Sequence, residues 1–233
     1  MLIRDLQPGP LMTSFAQESV LVVVAHPDDE CIGAGGTIKG HVDKGIETDV
    51  LSLTGNEVRN KELRAACSVL GVREVYTNQR DDFAIDWFLE QEIVAAILKS
   101  RPSIIITHSV DDYNRNHVQC AKLVIDAVEW ASHTTMHEDA HRVDRVYGME
   151  INSLHSQPNV LVDISDTFEA AMTALRKHGS QLKKADGFYL RFYEARTRLR
   201  GAQAGCDRAE AFTASFPYHA GPFYKRNSVD TLI

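Results

Sequence analysis

Along the chain, short runs of apolar, β-branched residues alternate with longer stretches in which apolar positions recur every three or four residues. The run VLVVVA at Val20–Ala25 is continuously apolar, as a strand buried on both faces reads. Further strands are expected at Thr48–Leu53, Glu74–Thr77, Ser103–Thr107, Val143–Ile151 and Asn159–Ile164. Helical period fills Gly33–Lys44, Glu57–Leu70, Asp86–Ser100, His117–Ser132 and Ser165–His178, and Gly71 after Leu70 reads as a helix stop. The segment FYLRFYEARTRLR reads as an apolar helix stripe with a solvated basic face. Contact of its arginines with a substrate phosphate or carboxylate is the alternative. Repeated βα units of this kind build an α/β fold around a mostly parallel sheet.

With 233 residues and no Pro/Gly/Ser-rich linker, low-complexity tract or repeat, one domain over 1–233 is expected, residues 1–19 forming an N-terminal leader. Acidic residues outnumber basic ones 32 to 25, a net charge of -7, which argues against a dedicated nucleic-acid or anionic-membrane binder. No apolar run approaches the roughly 20 residues that span a bilayer. The cysteines Cys31, Cys67, Cys120 and Cys206 lie far apart without a C-x-x-C pair, so they read as reduced thiols of a cytoplasmic protein.

Chemistry concentrates where the first strand ends. His26, Asp28, Asp29 and Glu30 follow VLVVVA directly, with Pro27 restricting the turn. A helix dipole stabilises a nearby acid by only about 0.3–1 kcal/mol, too little to offset three adjacent carboxylates. A cation answers the repulsion, and His26 and Asp29, three apart, supply two of the usual ligands for Zn²⁺. GAGG at 33–36 follows too late after the strand for a dinucleotide fingerprint, whose turn is here filled by acids. These small residues are expected to let the helix lie close to the sheet.

A third ligand is expected from another strand end, in SIIITHSVDDYNRNHVQC. His117, at the start of the next helix, is the candidate, and His108 at the strand tip is expected to support it. Two imidazoles and one carboxylate leave a position open for water, as catalytic zinc sites do, and Asp28 beside them is placed as general base for amide hydrolysis. The same ligands also suit ferrous iron, so a non-haem iron oxygenase is the rival reading.

The motifs AHPDDE and GAGGTI resemble the opening of the PIG-L/LmbE superfamily of metal-dependent N-acetylglucosaminyl de-N-acetylases. The resemblance continues through RNKELRAACSVLGV to Asn116–His117 and to AEAF at 209–212, and covers most of the chain from Val20 onwards. It implies a Rossmann-like three-layer sandwich and zinc-dependent removal of an acyl group from an N-acylated amino-sugar metabolite, in a chain compatible with a homo-oligomer. By position it implies His26, Asp29 and His117 as metal ligands, Asp28 as catalytic base and Arg59 as a substrate contact. Asp82, with Asp81 as its equal by sequence, is the further sugar contact implied after the third strand, and Tyr113 and His108 join the substrate-binding candidates. Where a common family form reads H-P-D-H, this chain reads NRNH. Asn114 replaces the histidine that helps the tetrahedral intermediate, and Asn116 replaces the acid. An asparagine donates a hydrogen bond to an oxyanion but delivers no proton, so either Asp28 carries the proton both ways or His108, Asp111, Asp112 or Tyr113 assists. A non-catalytic sugar-binding protein silenced at Asn114 is the third reading, weakened by intact His26, Asp28 and Asp29.

His133, His137 and His141 fall four apart, a spacing that suits a second metal site, but the segment is polar and is expected to be a solvated connection instead. AEAFTASFPYH is expected to close over the core, with Glu210, Tyr218 and His219 at the rim.

Overall fold

The computed structural model describes residues 18–80 and 87–215, to which every structural statement here refers. Asp81, Asp82, Tyr218 and His219 lie outside the described residues, as does nearly all of the expected leader.

Strands β1 (Ser19–Val24), β2 (Glu47–Ser52), β3 (Glu74–Thr77), β4 (Ile104–His108), β5 (Arg145–Met149), β6 (Val160–Asp163) and β7 (Ala209–Ala214) form one sheet in the order β3-β2-β1-β4-β5-β7-β6. β1 pairs in parallel with both β2 and β4, and the parallel set extends from β3 to β5. β7 runs antiparallel between β5 and β6. Helices α1 (Asp29–Asp43), α2 (Glu57–Leu70), α3 (Trp87–Ser100), α4 (Arg115–Ala131), α5 (Phe168–Leu175), α6 (Gly179–Lys184) and α7 (Phe188–Ala204) complete the described elements. None is long and apolar enough to cross a membrane.

The alternation of side chains along β1 divides the core in two. Val20, Val22 and Val24 face a cluster built with α1, α2, α5 and α7, whereas Leu21, Val23 and Ala25 face one built with α3 and α4. Helices thus cover both faces of the sheet, in the three-layer Rossmann-like arrangement expected. Between β1 and β4 the strand order reverses direction. In open α/β sheets, ligands bind at such a switch point, beyond the carboxyl ends of the strands.

Two differences from the sequence expectation concern the C-terminal part. AEAFTA forms strand β7, which its small and acidic residues did not announce, and makes that end of the sheet antiparallel. The helix expected over Ser165–His178 instead stops at Leu175, and His178 begins the short α6. Helix α1 starts at Asp29, four residues before its expected start, which places Asp29 and Glu30 in its first turn.

Close approach of α1 to the sheet depends on its glycines. A β-carbon at Gly33 falls 2.7 Å from Ile151, and one at Gly36 falls 2.7 Å from Ile164. Both sites are buried; Gly33 meets the side-chain ends of Met149 and Ile151, whereas Gly36 meets the branched Cβ and Cγ2 of Ile164, which cannot swing aside. Gly36→Ala is accordingly expected to lower the unfolding free energy by about 1–3 kcal/mol, the usual range for overpacking. Urea denaturation checks this, and an unchanged midpoint would show that α1 has slack against the sheet.

Candidate functional site

The site lies at the carboxyl ends of β1 and β4. His26 and Asp29 come from the turn that leads β1 into α1, and His117 comes from the first turn of α4. Local sequence fixes each approach. Asn56 caps α2 by accepting from the Arg59 amide at 3.0 Å, which brings Arg59 into that helix's first turn. Asn114 caps α4 by accepting from the Asn116 amide at 2.9 Å, setting the entry of the helix that carries His117.

Three ligand-type atoms converge. Asp29 Oδ2 is 3.1 Å from His26 Nδ1, and Asp29 Oδ1 is 3.4 Å from His117 Nε2. The available donors of this triad lie within 4.8 Å of one another. Their donor set, two imidazole nitrogens and one carboxylate, fits a borderline divalent ion such as Zn²⁺. His117 Nδ1 points away and donates to Asp112 Oδ2 at 3.2 Å. Asp112 also accepts from the amides of Asn114 at 2.7 Å and Asn152 at 3.3 Å. A carboxylate behind a ligating histidine fixes ring and tautomer, as metal sites commonly require. His26 Nε2 meets the Asn116 amide at 3.1 Å.

Asp28 stands beside the triad, buried, with φ at 123°, a conformation L-residues rarely adopt. Arg59 Nη2 donates to Asp28 Oδ1 at 3.0 Å and to the Pro27 carbonyl at 2.5 Å. Burial, then the adjacent Asp29 charge, pushes the Asp28 carboxyl up to about 8, against the pull of Arg59. Burial also opposes ionisation of Asp29, but the His117 charge outweighs it and holds that carboxyl well below its usual range. For His117 burial disfavours the cation, yet Asp29 and Asp112 prevail and raise its pKa to about 10.

A cleft of about 250 Å³ opens above these groups, lined by His26, Asp28, Asp29, Arg59, Asn114 and His117, together with Asn152, Gln181, Lys184 and Tyr189. That volume lies just under the roughly 300–1,000 Å³ of drug-sized ligand sites.

The structure brings His26, Asp28, Asp29, Arg59, Asn114 and His117 to one cleft. It leaves two expected substrate contacts out of it. His108 is 1% exposed, stacked 4.1 Å behind His117, and its Nε2 accepts from the Ala25 amide at 2.9 Å. Burial and then His117 lower its pKa to about 4, so it is a neutral wedge under the site. Tyr113 is 78% exposed and is not among the cleft-lining residues. Glu210, expected at the rim, is 1% exposed and ties α1 to α7, accepting from Gly36 and Thr37 amides and from the Tyr193 hydroxyl. Arg196 and Arg200, expected on a solvated face, are buried, and Arg196 donates to the Glu150 carbonyl at 2.8 Å. His133, His137 and His141 form no ligand cluster among the described residues. Sequence reasoning passed over Asn152, Gln181, Lys184 and Tyr189, since their local patterns carry no metal-type or acid-base signal.

An α/β chain with a histidine–aspartate–histidine triad and a buried carboxylate at the sheet's switch point is the class that fold and site define. A family model described as GlcNAc-PI de-N-acetylase matches residues 21–128. A diacetylchitobiose deacetylase of Thermococcus kodakarensis is 31% identical over 191 residues, 70% of each chain. A 1D-myo-inositol 2-acetamido-2-deoxy-alpha-D-glucopyranoside deacetylase of a Mycobacterium species is 28% identical over 241 residues, covering 76% of this chain and 78% of the relative. The crystal structure of a conserved protein from Thermus thermophilus matches with a TM-score of 0.78 at 26% identity, over 90% of this chain and 100% of that one. The chain belongs to the PIG-L family of LmbE-type deacetylases.

Two outcomes follow from this geometry. Asp112→Asn is expected to weaken zinc binding by about 10–100-fold, the usual effect of losing a group behind a ligand. Competition with a chromogenic chelator measures it, and unchanged affinity would mean that Asp112 does not orient His117. In metal-free protein, folded pKa values of about 8 for Asp28 and about 10 for His117 both exceed those of the unfolded chain. The Asp28 contribution to stability is complete below about pH 4 and is lost as pH rises through about 8. That of His117 is complete below about 6.5 and is lost through about 10. Chelator-treated protein should therefore lose melting temperature between pH 6 and 10, and protein incubated with zinc, which His117 would bind only when deprotonated, should lose less. Parallel curves would contradict the charge pattern.

Proposed function

We propose that the protein is a zinc-dependent hydrolase that removes an N-acetyl group from an amino-sugar-containing metabolite in the cytoplasm. The observation that carries this reading is the placement of buried Asp28 beside the His26–Asp29–His117 triad in one polar cleft. The deacetylase names of the relatives support the substrate class.

His26, Asp29 and His117 would hold the ion, which when bound supplies water activation and polarisation of the acyl carbonyl. Arg59 holds Asp28 at Oδ1, which leaves Oδ2 to take the proton of the attacking water. Asn114 has its Oδ1 engaged by the Asn116 amide, so its NH₂ is the end left to donate to the developing oxyanion. With no imidazole at position 114, Asp28 returns its proton to the leaving amine. If His26 holds the ion through Nδ1, its Nε2 would carry the proton, and the Asn116 side chain, which presents Nδ2 there at 3.1 Å, would have to turn its amide oxygen to accept it.

The test is acetate release from a panel of N-acetylglucosamine-containing compounds, paired with elemental analysis. Wild type should carry about one zinc per chain. Asp28→Ala should keep that zinc and lose about 10²–10⁴-fold in turnover, the range for a general base. Substrate-dependent oxygen uptake by iron-loaded protein would instead establish the oxygenase. Ligand binding without turnover across the panel would establish a sugar-binding protein.

A further inference from the structure

Glu30 is the third acid of the crowded turn, and nothing in the reaction uses it. It is fully buried, with 0% exposure, directly beneath the base. Its Oε2 accepts the Asp28 amide at 2.9 Å, while its Oε1 accepts the Cys31 thiol at 3.1 Å and His178 Nε2 at 2.7 Å. His178 is itself 1% exposed and is brought from 148 residues away in sequence. Asp28, at the other end of this chain of bonds, has φ of 123° and ψ of -27°. For a residue with a β-carbon such a conformation persists only where its surroundings hold it.

The amide of a residue so strained needs a fixed acceptor, and Glu30 is that acceptor. A carboxylate in the core is in turn held in one rotamer by its remaining donors, of which the His178 contact is the shortest. His178 also precedes α6, which carries Gln181 and Lys184 into the cleft wall. A second set of bonds docks that helix, from the Ser180 amide at 2.8 Å and hydroxyl at 2.6 Å to Glu62. The element that walls the cleft therefore reaches the base by a continuous path of buried hydrogen bonds.

We propose that His178 is a positioning residue: through Glu30 it holds the Asp28 backbone in the strained conformation that aims its carboxylate into the cleft. Glu30, Cys31 and His178 also lie close enough to share an ion. Their mutual hydrogen bonds of 2.7 and 3.1 Å favour the hydrogen-bonded arrangement over a second metal site. The catalytic part of the inference rests on the deacetylase reading above, whereas the conformational part does not.

The test compares His178→Leu, which removes the donor, with His178→Gln, whose amide places a donor near the position of Nε2. His178→Asn, whose shorter amide cannot reach Glu30, serves if the leucine variant fails to fold. Three readouts apply to each: zinc per chain, hydrogen exchange of the Asp28 amide, and kcat and KM on whichever substrate wild type hydrolyses. Leucine and asparagine are expected to keep one zinc per chain, to speed Asp28 amide exchange at least tenfold, and to lower kcat about 10–100-fold with KM within twofold. Glutamine should recover most of both effects. Unchanged exchange and kcat in the leucine and asparagine variants, losses that glutamine fails to rescue, or a second zinc that leaves with His178 would each overturn the proposal. If wild type hydrolyses no N-acyl substrate, the functional reading fails on its own, and the exchange measurement still decides the role of His178.

Discussion

Three carboxylates buried side by side at the end of β1 are the constraint around which the rest of the molecule is organised. Asp28, Asp29 and Glu30 are at most 7% exposed, and burying even one unpaired charge costs several kcal/mol. The fold gives each a different answer. Glu30 receives three donors and becomes a fully satisfied anion in the core. Asp29 lies beside His26 and faces His117, and the His117 charge, with His108 behind it, holds it ionised. Asp28 has Arg59 bonded to it and His178 acting more weakly, too little to offset burial and Asp29, and stays the most basic of the three. Consecutive positions in a strand-to-helix turn point in different directions, which is how neighbours in sequence acquire different chemistry.

The C-terminal half of the chain serves this turn without entering the cleft chemistry. Gly33 and Gly36 let α1 sink onto the sheet, and Glu210 on β7 then reaches the amides of Gly36 and Thr37. Arg196 on α7 spans from the Ile32 carbonyl in α1 to the carbonyls of Glu150 and Ile151 after β5, two segments that border the cleft. Arg200 closes the set by pairing with Glu150 inside the core. Removing one partner of a buried pair typically costs about 3–5 kcal/mol, because the other charge is left stranded. α7 and β7 thus tie α1 to the segment after β5, on either side of the cleft.

How much of this could be read in the sequence depended on whether the signal was local. The unbroken apolar run of β1, the histidine and acids after it and the helix stop at Gly71 are local, and they placed both the fold class and the first half of the cleft. His117 needed only a strand followed by a loop. Long-range pairings were not legible. Arg196 and Arg200 looked like a solvated basic face because nothing in their own helix shows Glu150 waiting across the core. β7 has a single β-branched residue, Thr213, and its alanines and the buried Glu210, which is turned to α1, do not announce a strand. His108 could not be assigned to cleft or core, because the tip of a strand looks polar whichever way its last side chain faces.

Asn114 is the position where local structure and chemistry bear on each other most directly. An asparagine caps α4 well, since its side-chain oxygen accepts the Asn116 amide, and an imidazole in that place would not make the same cap. The cap fixes where α4 begins and so where His117 stands. In the proposed reaction the cost of this choice is the missing proton donor. In the metal-free protein burial and then Asp29 raise the Asp28 carboxyl to about 8; a bound ion would offset the Asp29 part, and burial is what would remain to let one carboxyl accept and then return a proton. In the proposed reaction, then, it is the burial of this turn, more than the crowding that a cation would relieve, that would equip a single aspartate to act as base and then as acid.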